Sequence, residues 1–496
     1  MVYNFNLGIG WASSGVEYAQ SYRANLLRKA GIPAKFIFTD MFPTENIEHM
    51  TKNIGFLDEE VMWLYTFFTD TRISPVTYTL AKLEQTLPQG KYTFSRNGKM
   101  CRYVYDGQPL FYTVYMVNEN DDLVHRVEIV SDNRLIRKDY YTYCKIYSEY
   151  YGPLDGKAHM YGRSFFNEDG SIAYEEVNDD DNVFFRFKNA VLYSKEEFVG
   201  YMVKQLELTS EDVVIIDRTT GIGQAILENC GDARVGIVVH ADHFSEGGTD
   251  DNNILWNNYY EYSFAQTEHI SFYVTATQAQ KKLMEEQFMK YCGKKPEIVA
   301  IPVGSLDELK YPDKQRKRHS IITASRLADE KHCDWIVQAV AIARQKVPDI
   351  SLDIYGKGAE ESKIQSVINR CGCIDCVRLM GQHNLDNVYC QYEAYVAASQ
   401  SEGFGLTLME AVGSGLPIIG FDVRYGNQIF IDNGENGYKI AINDDMDQKD
   451  KVALLAENIV KLFTEDDVKA FSEHSYEKAK EFLTEEVMNK WIKLLK

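Results

Sequence analysis

The residue types best suited to chemistry in this 496-residue chain gather near its end, in Ser399-Gln-Ser-Glu402-Gly-Phe-Gly405-Leu-Thr-Leu-Met-Glu410. Glu402 and Glu410 stand eight residues apart. The first falls in a glycine-flanked loop after an apolar run, the second about two turns into the helix that residues 405–407 begin. Such a helix start turns unpaired N–H groups and the positive end of its dipole toward an anion, which suits a phosphate. Two carboxylates suit the hydroxyls of a sugar. Phosphate plus polyol means a nucleotide sugar. Upstream, Ser325-Arg326-Leu-Ala-Asp-Glu-Lys331 puts two permanent cations five residues apart at a strand end, where they can neutralise a pyrophosphate.

Other clusters say less. Cys371-Gly-Cys373-Ile-Asp-Cys376 offers three thiols, but no second paired spacing lies nearby and His383 is the only adjacent imidazole. It reads as small residues ending a helix and entering a buried strand, and no metal is expected. Gly8-Ile-Gly10 and Gly221-Ile-Gly223 sit at strand-to-helix turns, yet neither completes G-x-G-x-x-G, which leaves nicotinamide chemistry a minor alternative. With 53 basic against 73 acidic residues and a net charge of −20, nucleic acid is an unsuitable partner. The start has no cationic stretch before its apolar residues, and nowhere do 18 apolar residues run without a charge. Nine cysteines, an odd number, fit reduced thiols, so the expected location is the cytoplasm.

The length allows two or three domains. Residues 3–7, 8–15, 16–30 and 34–39 read as strand, glycine-bearing turn, helix and strand, one βαβ unit that begins a parallel sheet. An uncertain helical stretch runs to about residue 87. Aromatic and β-branched runs then recur at hairpin spacing: 91–94, 101–105, 110–117, 123–130 and 135–147. Arg96-Asn-Gly98, Asp106-Gly107, residues 118–122 and Ser131-Asp-Asn133 separate them, and further turns follow at 167–170 and 178–182. This is an antiparallel meander inserted into an α/β domain. Its many Tyr and Phe side chains either pack a sheet face or form a binding platform. Short apolar runs at 213–216, 235–239, 270–274 and 298–301 resume the parallel sheet. A second α/β series, at 321–324, 352–355, 377–380, 394–398 and 417–421, follows a stretch with four basic residues within 314–318, read as a solvated hinge.

Glu402 with Glu410 in this setting resembles the EX7E motif of the GT4 family of retaining glycosyltransferases, which have the GT-B fold. Arg326 and Lys331 are similar to the family's donor-diphosphate clamp, in chain order before the motif. Tyr355-Gly356-Lys-Gly358 and Gly381-Gln382-His383 fall where such proteins line the nucleotide pocket. Gly15-Val16-Glu17-Tyr18 resembles the loop that approaches the β-phosphate, and His240 resembles the histidine that faces the donor sugar. With the meander and the Asp217-Arg-Thr-Thr-Gly221-Ile-Gly223-Gln224 turn, the whole chain is similar to one branch, the catalytic subunits of accessory-Sec protein O-glycosyltransferases. It is less similar to teichoic-acid glycosyltransferases.

The resemblance implies an α/β chain of two Rossmann-like domains facing a cleft, with an antiparallel β-sheet domain inserted in the first. The expected boundaries are 1–45 plus 205–308, the insertion 46–204, the nucleotide-sugar domain 309–475, and a C-terminal helix at 476–496 returning to the first domain. It implies UDP binding by Gly15, Val16, Glu17, Tyr18, Arg326, Lys331, Gln382, His383, Leu406, Thr407 and Glu410. Glu402, Gly403, Phe404, Gly405 and His240 would hold the sugar, with Glu402 and His240 as the catalytic pair. No metal and no cofactor beyond the donor UDP-GlcNAc is implied. The implied acceptor is Ser or Thr of a serine-rich repeat adhesin, and the implied partner a non-catalytic GtfB-like subunit docking on the inserted sheet. The sugar, GlcNAc or glucose, stays open, as do a polyol-phosphate acceptor and peripheral association with the inner membrane face. A non-catalytic binding subunit would explain the aromatic insertion but not the intact Glu402, Glu410, Arg326 and Lys331 set.

Overall fold

A computed structural model describes residues 1–9, 15–179, 182–443 and 445–496. The chain divides into two compact units, Met1–Ile237 with Asn258–Ser271, and Val238–Asn257 with Phe272–Lys496. In the first, parallel strands lie in the order Arg234–Val239, Val213–Ile216, Val2–Asn6, Ala34–Phe38 and Val61–Trp63. The run Val213-Val-Ile-Ile216 is buried throughout, as a strand covered on both faces requires. Strand Val61–Trp63 lies in the stretch read as uncertain helix and extends the parallel sheet beyond residue 45. Gly10, the Trp11 to Ser14 stretch of the first glycine turn, and Asp180 and Asp181 of the turn expected at 178–182 lie outside the described residues.

Ten antiparallel strands, from Tyr92–Asn97 to Val191–Leu192, form a second sheet in this unit, each beside its sequence neighbours. Asp132 and Asn133 take left-handed φ values of 51° and 59° at one of its hairpins, as short polar side chains tolerate. The run expected at 135–147 is instead two strands, Arg134–Tyr141 and Lys145–Leu154. No Gly, Asn or Pro marks the break at residues 142–144. It is held by distant partners: the Tyr143 hydroxyl donates to Glu168 and accepts from the Arg72 N–H at 3.1 Å. Most aromatics of the sheet serve its core. Tyr140 stacks on Tyr147 at 4.3 Å, Phe165 on Tyr174 at 4.5 Å, and Phe185 on Phe198 of helix Lys195–Gln205 at 4.1 Å.

The second unit holds a six-stranded parallel sheet in the order Val377–Gly381, Ser351–Tyr355, Ser320–Ala324, Ala394–Ala397, Ile418–Phe421 and Gly437–Ile440. The chain lays down three strands in one direction, then returns to place Ala394–Ala397 beside Ser320–Ala324 and continues the other way. The loops after those two neighbouring strands therefore part, opening the crevice where ligands of such sheets bind. Phe272–Thr275 and Ile298–Ala300 pair in parallel in the same unit.

The basic stretch at 314–318 is not a free hinge. Arg316 donates to the carbonyls of Tyr392 at 2.7 Å and Ser414 at 2.6 Å, because the ends of two elements leave those acceptors unfilled. The C-terminal segment is tied within the second unit: the Leu306 N–H donates to the Phe482 carbonyl at 2.8 Å, and the Thr484 N–H to the Leu306 carbonyl at 2.8 Å. No helix of the described residues is long and apolar enough to cross a membrane.

Candidate active site

The crevice between strands Ser320–Ala324 and Ala394–Ala397 brings the expected charges together. After the first strand the chain makes a one-turn 3-10 helix, Asp329–Lys331, and the Lys331 ammonium donates to Glu402 at 2.7 Å. Both side chains are about one-fifth exposed, at 19% and 22%, so the pair is reachable from solvent while shielded from most of it. Arg326 behaves differently: it is exposed and pairs with Glu330 at 2.8 Å, one helical turn away in sequence. A backbone N–H first, and that guanidinium next, hold the Glu330 carboxyl below the usual range.

Helix Leu406–Gly413 starts at Gly405, whose φ of 88° is left-handed and whose missing Cβ leaves room for Leu408, 2.7 Å from where it would stand. Leu406 and Thr407 open that helix, and the Thr407 hydroxyl lies 3.0 Å from the Tyr395 phenol. Glu410 is the fifth residue of that helix, so at 3.6 residues per turn it lies little more than one turn along it rather than two. Its carboxylate accepts the Tyr389 hydroxyl at 2.8 Å. Phe404 turns its ring into packing with Phe430 at 5.2 Å and Phe482 at 6.1 Å.

Two loops at the strand ends nest through glycine. A Cβ at Gly356 would stand 1.9 Å from the Ser325 carbonyl, and one at Gly358 2.2 Å from that of Leu327. The turn after Ser351–Tyr355 thus lies directly against the one that carries Arg326. Gln382 and His383 are exposed beyond strand Val377–Gly381; the His383 Nε2 reaches the Met380 carbonyl at 2.7 Å, and its ring meets Tyr355 edge-on at 6.0 Å.

His240 follows strand Arg234–Val239, and a Cβ at Gly403 would stand 3.0 Å from its carbonyl oxygen. The residues after it run along the Glu402 loop. Ser401 donates to Asp242 at 3.3 Å, the Tyr425 hydroxyl lies 3.4 Å from His243 Nδ1, and Arg424 donates to Glu246 at 2.6 Å. Burial pushes His243 down to about 4. Tyr389, Tyr395, Asp242, His243, Arg424 and Tyr425 were not singled out by the sequence.

In the first unit Gly15 opens helix Gly15–Lys29, with Val16 half-buried and Tyr18 exposed. Glu17 is buried and accepts from Asn6 at 3.4 Å and Arg218 at 3.2 Å. Gln20 donates to Asp217 at 2.7 Å, and Arg23 pairs with the same carboxylate. This polar spine explains why the helix buries three polar residues on one face.

Cys373 and Cys376 are buried, and burial, ahead of the neighbouring thiol, pushes the Cys373 thiol up to about 12. Among the described residues Asp432, Glu435 and His474 hold possible ligand atoms within 4.8 Å of one another; the His474 Nε2 lies 3.2 Å from Asp432 and 3.1 Å from Glu435, and Lys478 lies 3.3 Å from Asp432.

These features, two parallel sheets and a cation-carboxylate pair at a switch point, define a glycosyltransferase of the GT-B fold. The family of group 1 glycosyl transferases matches residues 307–476, and the GtfA extended beta-sheet domain matches 93–189. The GtfA subunit of the UDP-N-acetylglucosamine–peptide N-acetylglucosaminyltransferase of Streptococcus gordonii is 50% identical over 496 residues, covering 100% of this chain and 98% of that protein. This chain belongs to the GtfA-subunit family. The crystal structure of the pneumococcal O-GlcNAc transferase GtfA with UDP and GlcNAc superposes with a TM-score of 0.95 at 46% identity, over 100% of this chain and 98% of that one. A GtfA/B complex does so with a TM-score of 0.95 at 50% identity, over 100% and 99%. Staphylococcus aureus TarM shares the fold at a TM-score of 0.70 and 17% identity, over 100% and 99%.

Proposed function

We propose that this protein transfers N-acetylglucosamine from UDP-GlcNAc to Ser or Thr hydroxyls of a serine-rich repeat adhesin, with retained configuration and without a metal. The observation that carries this reading is the Lys331–Glu402 pair at 2.7 Å at the sheet's switch point, in a full-length relative of GtfA subunits. In this scheme Lys331 and Arg326 take the charge that develops on the diphosphate, together with the N–H groups of Leu406 and Thr407. Glu410, held by Tyr389, binds the ribose hydroxyls. Gln382 and His383 meet the base. Glu402 moves from Lys331 to the sugar hydroxyls, which the backbone of residues 403–405 also meets, and His240 supports the sugar ring.

The anomeric carbon–oxygen bond to phosphate breaks as the acceptor oxygen attacks from the same face. The acceptor proton passes to the leaving phosphate oxygen, so no separate base is needed. The ten-stranded sheet would receive a GtfB-like partner; Phe94, Tyr161, Ile172 and Val191 stand exposed on it. The location that fits is the cytoplasm. The test is UDP release from UDP-GlcNAc, UDP-glucose and UDP-galactose, with a serine-rich peptide or a polyol-phosphate polymer, and with or without the partner. Peptide-dependent release from UDP-GlcNAc, with the added mass on the peptide, is expected. Transfer to the polymer alone would replace the acceptor, and release from no donor would remove the reading.

A further inference from the structure

Glu402 is tied through its backbone to a residue that no motif marks. Its carbonyl accepts from the N–H groups of Tyr425 at 2.6 Å and Gly426 at 2.8 Å, and its own N–H donates to the Arg424 carbonyl at 3.0 Å. Gly426 is pressed so closely that a Cβ there would stand 2.1 Å from the Phe404 carbonyl. Whatever fixes Tyr425 therefore fixes the Glu402 loop. The Tyr425 side chain is buried at 1% exposure, and its hydroxyl lies 3.4 Å from Nδ1 of His243, which is itself wholly buried. On the far side of that ring, Nε2 lies 2.6 Å from Oε1 of Gln287. An amide oxygen only accepts, so Nε2 carries the proton and Nδ1 is left as an acceptor for the phenol, which the Asp242 carboxylate of the same segment also faces. Burial keeps the ring neutral, consistent with that arrangement.

His243 lies three residues beyond His240. The segment between them is pinned at its other atoms as well: Gln280 donates to the Ala241 carbonyl at 2.9 Å and Asn257 to that of Asp242 at 2.8 Å. The chain Gln287–His243–Tyr425–Glu402 therefore connects two loops that meet again where Gly403 lies against the His240 carbonyl. We propose that Tyr425 and His243 form a buried brace that sets the spacing between His240 and Glu402, and so positions the sugar-holding groups without touching the donor. The proposal rests on the glycosyl-transfer reading above. It separates two properties: Arg326, paired with Glu330, and Glu410, held by Tyr389, lie on other links, and only Lys331 meets the braced loop, through Glu402, so the brace acts on turnover more than on UDP binding.

Tyr425→Phe removes one oxygen and keeps the ring. UDP affinity by calorimetry should stay within about twofold of the parent, while kcat for sugar transfer falls by about tenfold and amide exchange over residues 400–405 quickens. His243→Asn still offers an oxygen to the phenol and should recover more of kcat than His243→Leu. Unchanged kcat in both Tyr425→Phe and His243→Leu overturns the brace. A fall in UDP affinity equal to the fall in kcat also overturns it, because a general loosening would then explain both. A parent protein that releases UDP from none of the three donors defeats the glycosyl-transfer reading and the proposal with it, whereas an active parent with unaffected variants defeats the brace alone.

Discussion

Glu402 pairs with the Lys331 ammonium, while Arg326 points to a solvent-exposed partner, and the two cations proposed to meet the diphosphate should respond differently to loss. Lys331→Ala leaves a partly shielded carboxylate without its counter-charge and should lower both stability and UDP affinity, the latter by about tenfold. Arg326→Ala should weaken UDP comparably while leaving the melting temperature unchanged, since an exposed ion pair stabilises little. Calorimetric titration beside thermal denaturation reads both. His243 gives a pH signature at the same scale. Burial lowers its folded value to about 4 from 6.5, so the unfolded chain takes the proton first as pH falls. Stability should therefore be fully present above about 6.5 and decline toward pH 4, by about 3 kcal/mol across that window. Urea unfolding of the parent and His243→Asn at several pH values should show the slope in the first and its loss in the second.

Among the elements, the ten-stranded sheet carries a buried charge set that a packing argument alone would not include. Arg163 lies between Glu149 at 3.0 Å and Glu176 at 2.5 Å, both carboxylates almost fully buried. Burial pushes the Glu176 carboxyl up even with that guanidinium beside it. Arg163→Met would leave two buried carboxylates unpaired and should cost about 3 kcal/mol, measurable by denaturant unfolding. Replacing all three with apolar residues should cost less than the single change. At the nucleotide loops the constraint is steric: Gly356→Ala would set a Cβ 1.9 Å from the Ser325 carbonyl at a φ of 131°. It should destabilise the fold by about 2 kcal/mol and weaken UDP together, because the displaced turn carries Arg326.

For the whole molecule, the exposed apolar side chains on the ten-stranded sheet are the group that its own core leaves over. Tyr161 is 51% exposed and Ile172 53%, on neighbouring strands. If the sheet receives the partner subunit through these exposed side chains, Tyr161→Glu with Ile172→Glu should weaken co-purification with the partner by at least about tenfold while UDP affinity stays at the parent value. Partner binding that survives both changes would move the docking surface elsewhere.

Local rules reached much of this. The period of apolar runs marked the parallel strands, polar turn residues marked most hairpins, and the placement of Glu402, Glu410, Arg326 and Lys331 on loop, helix and strand-end turn was legible because each is encoded within a few residues. Where the chain depends on distant partners the sequence was silent. The hairpin at 142–144 turns on Tyr143 meeting Glu168 and Arg72, the stretch at 314–318 is anchored by carbonyls at 392 and 414, and Tyr389 finds Glu410 from 21 residues away. Tyr425 and His243, 182 residues apart, meet only because two strand ends of one unit converge. Spacing along the chain determined which chemistry the protein carries. Packing of separate segments, which no short period records, decided which side chains hold that chemistry in place.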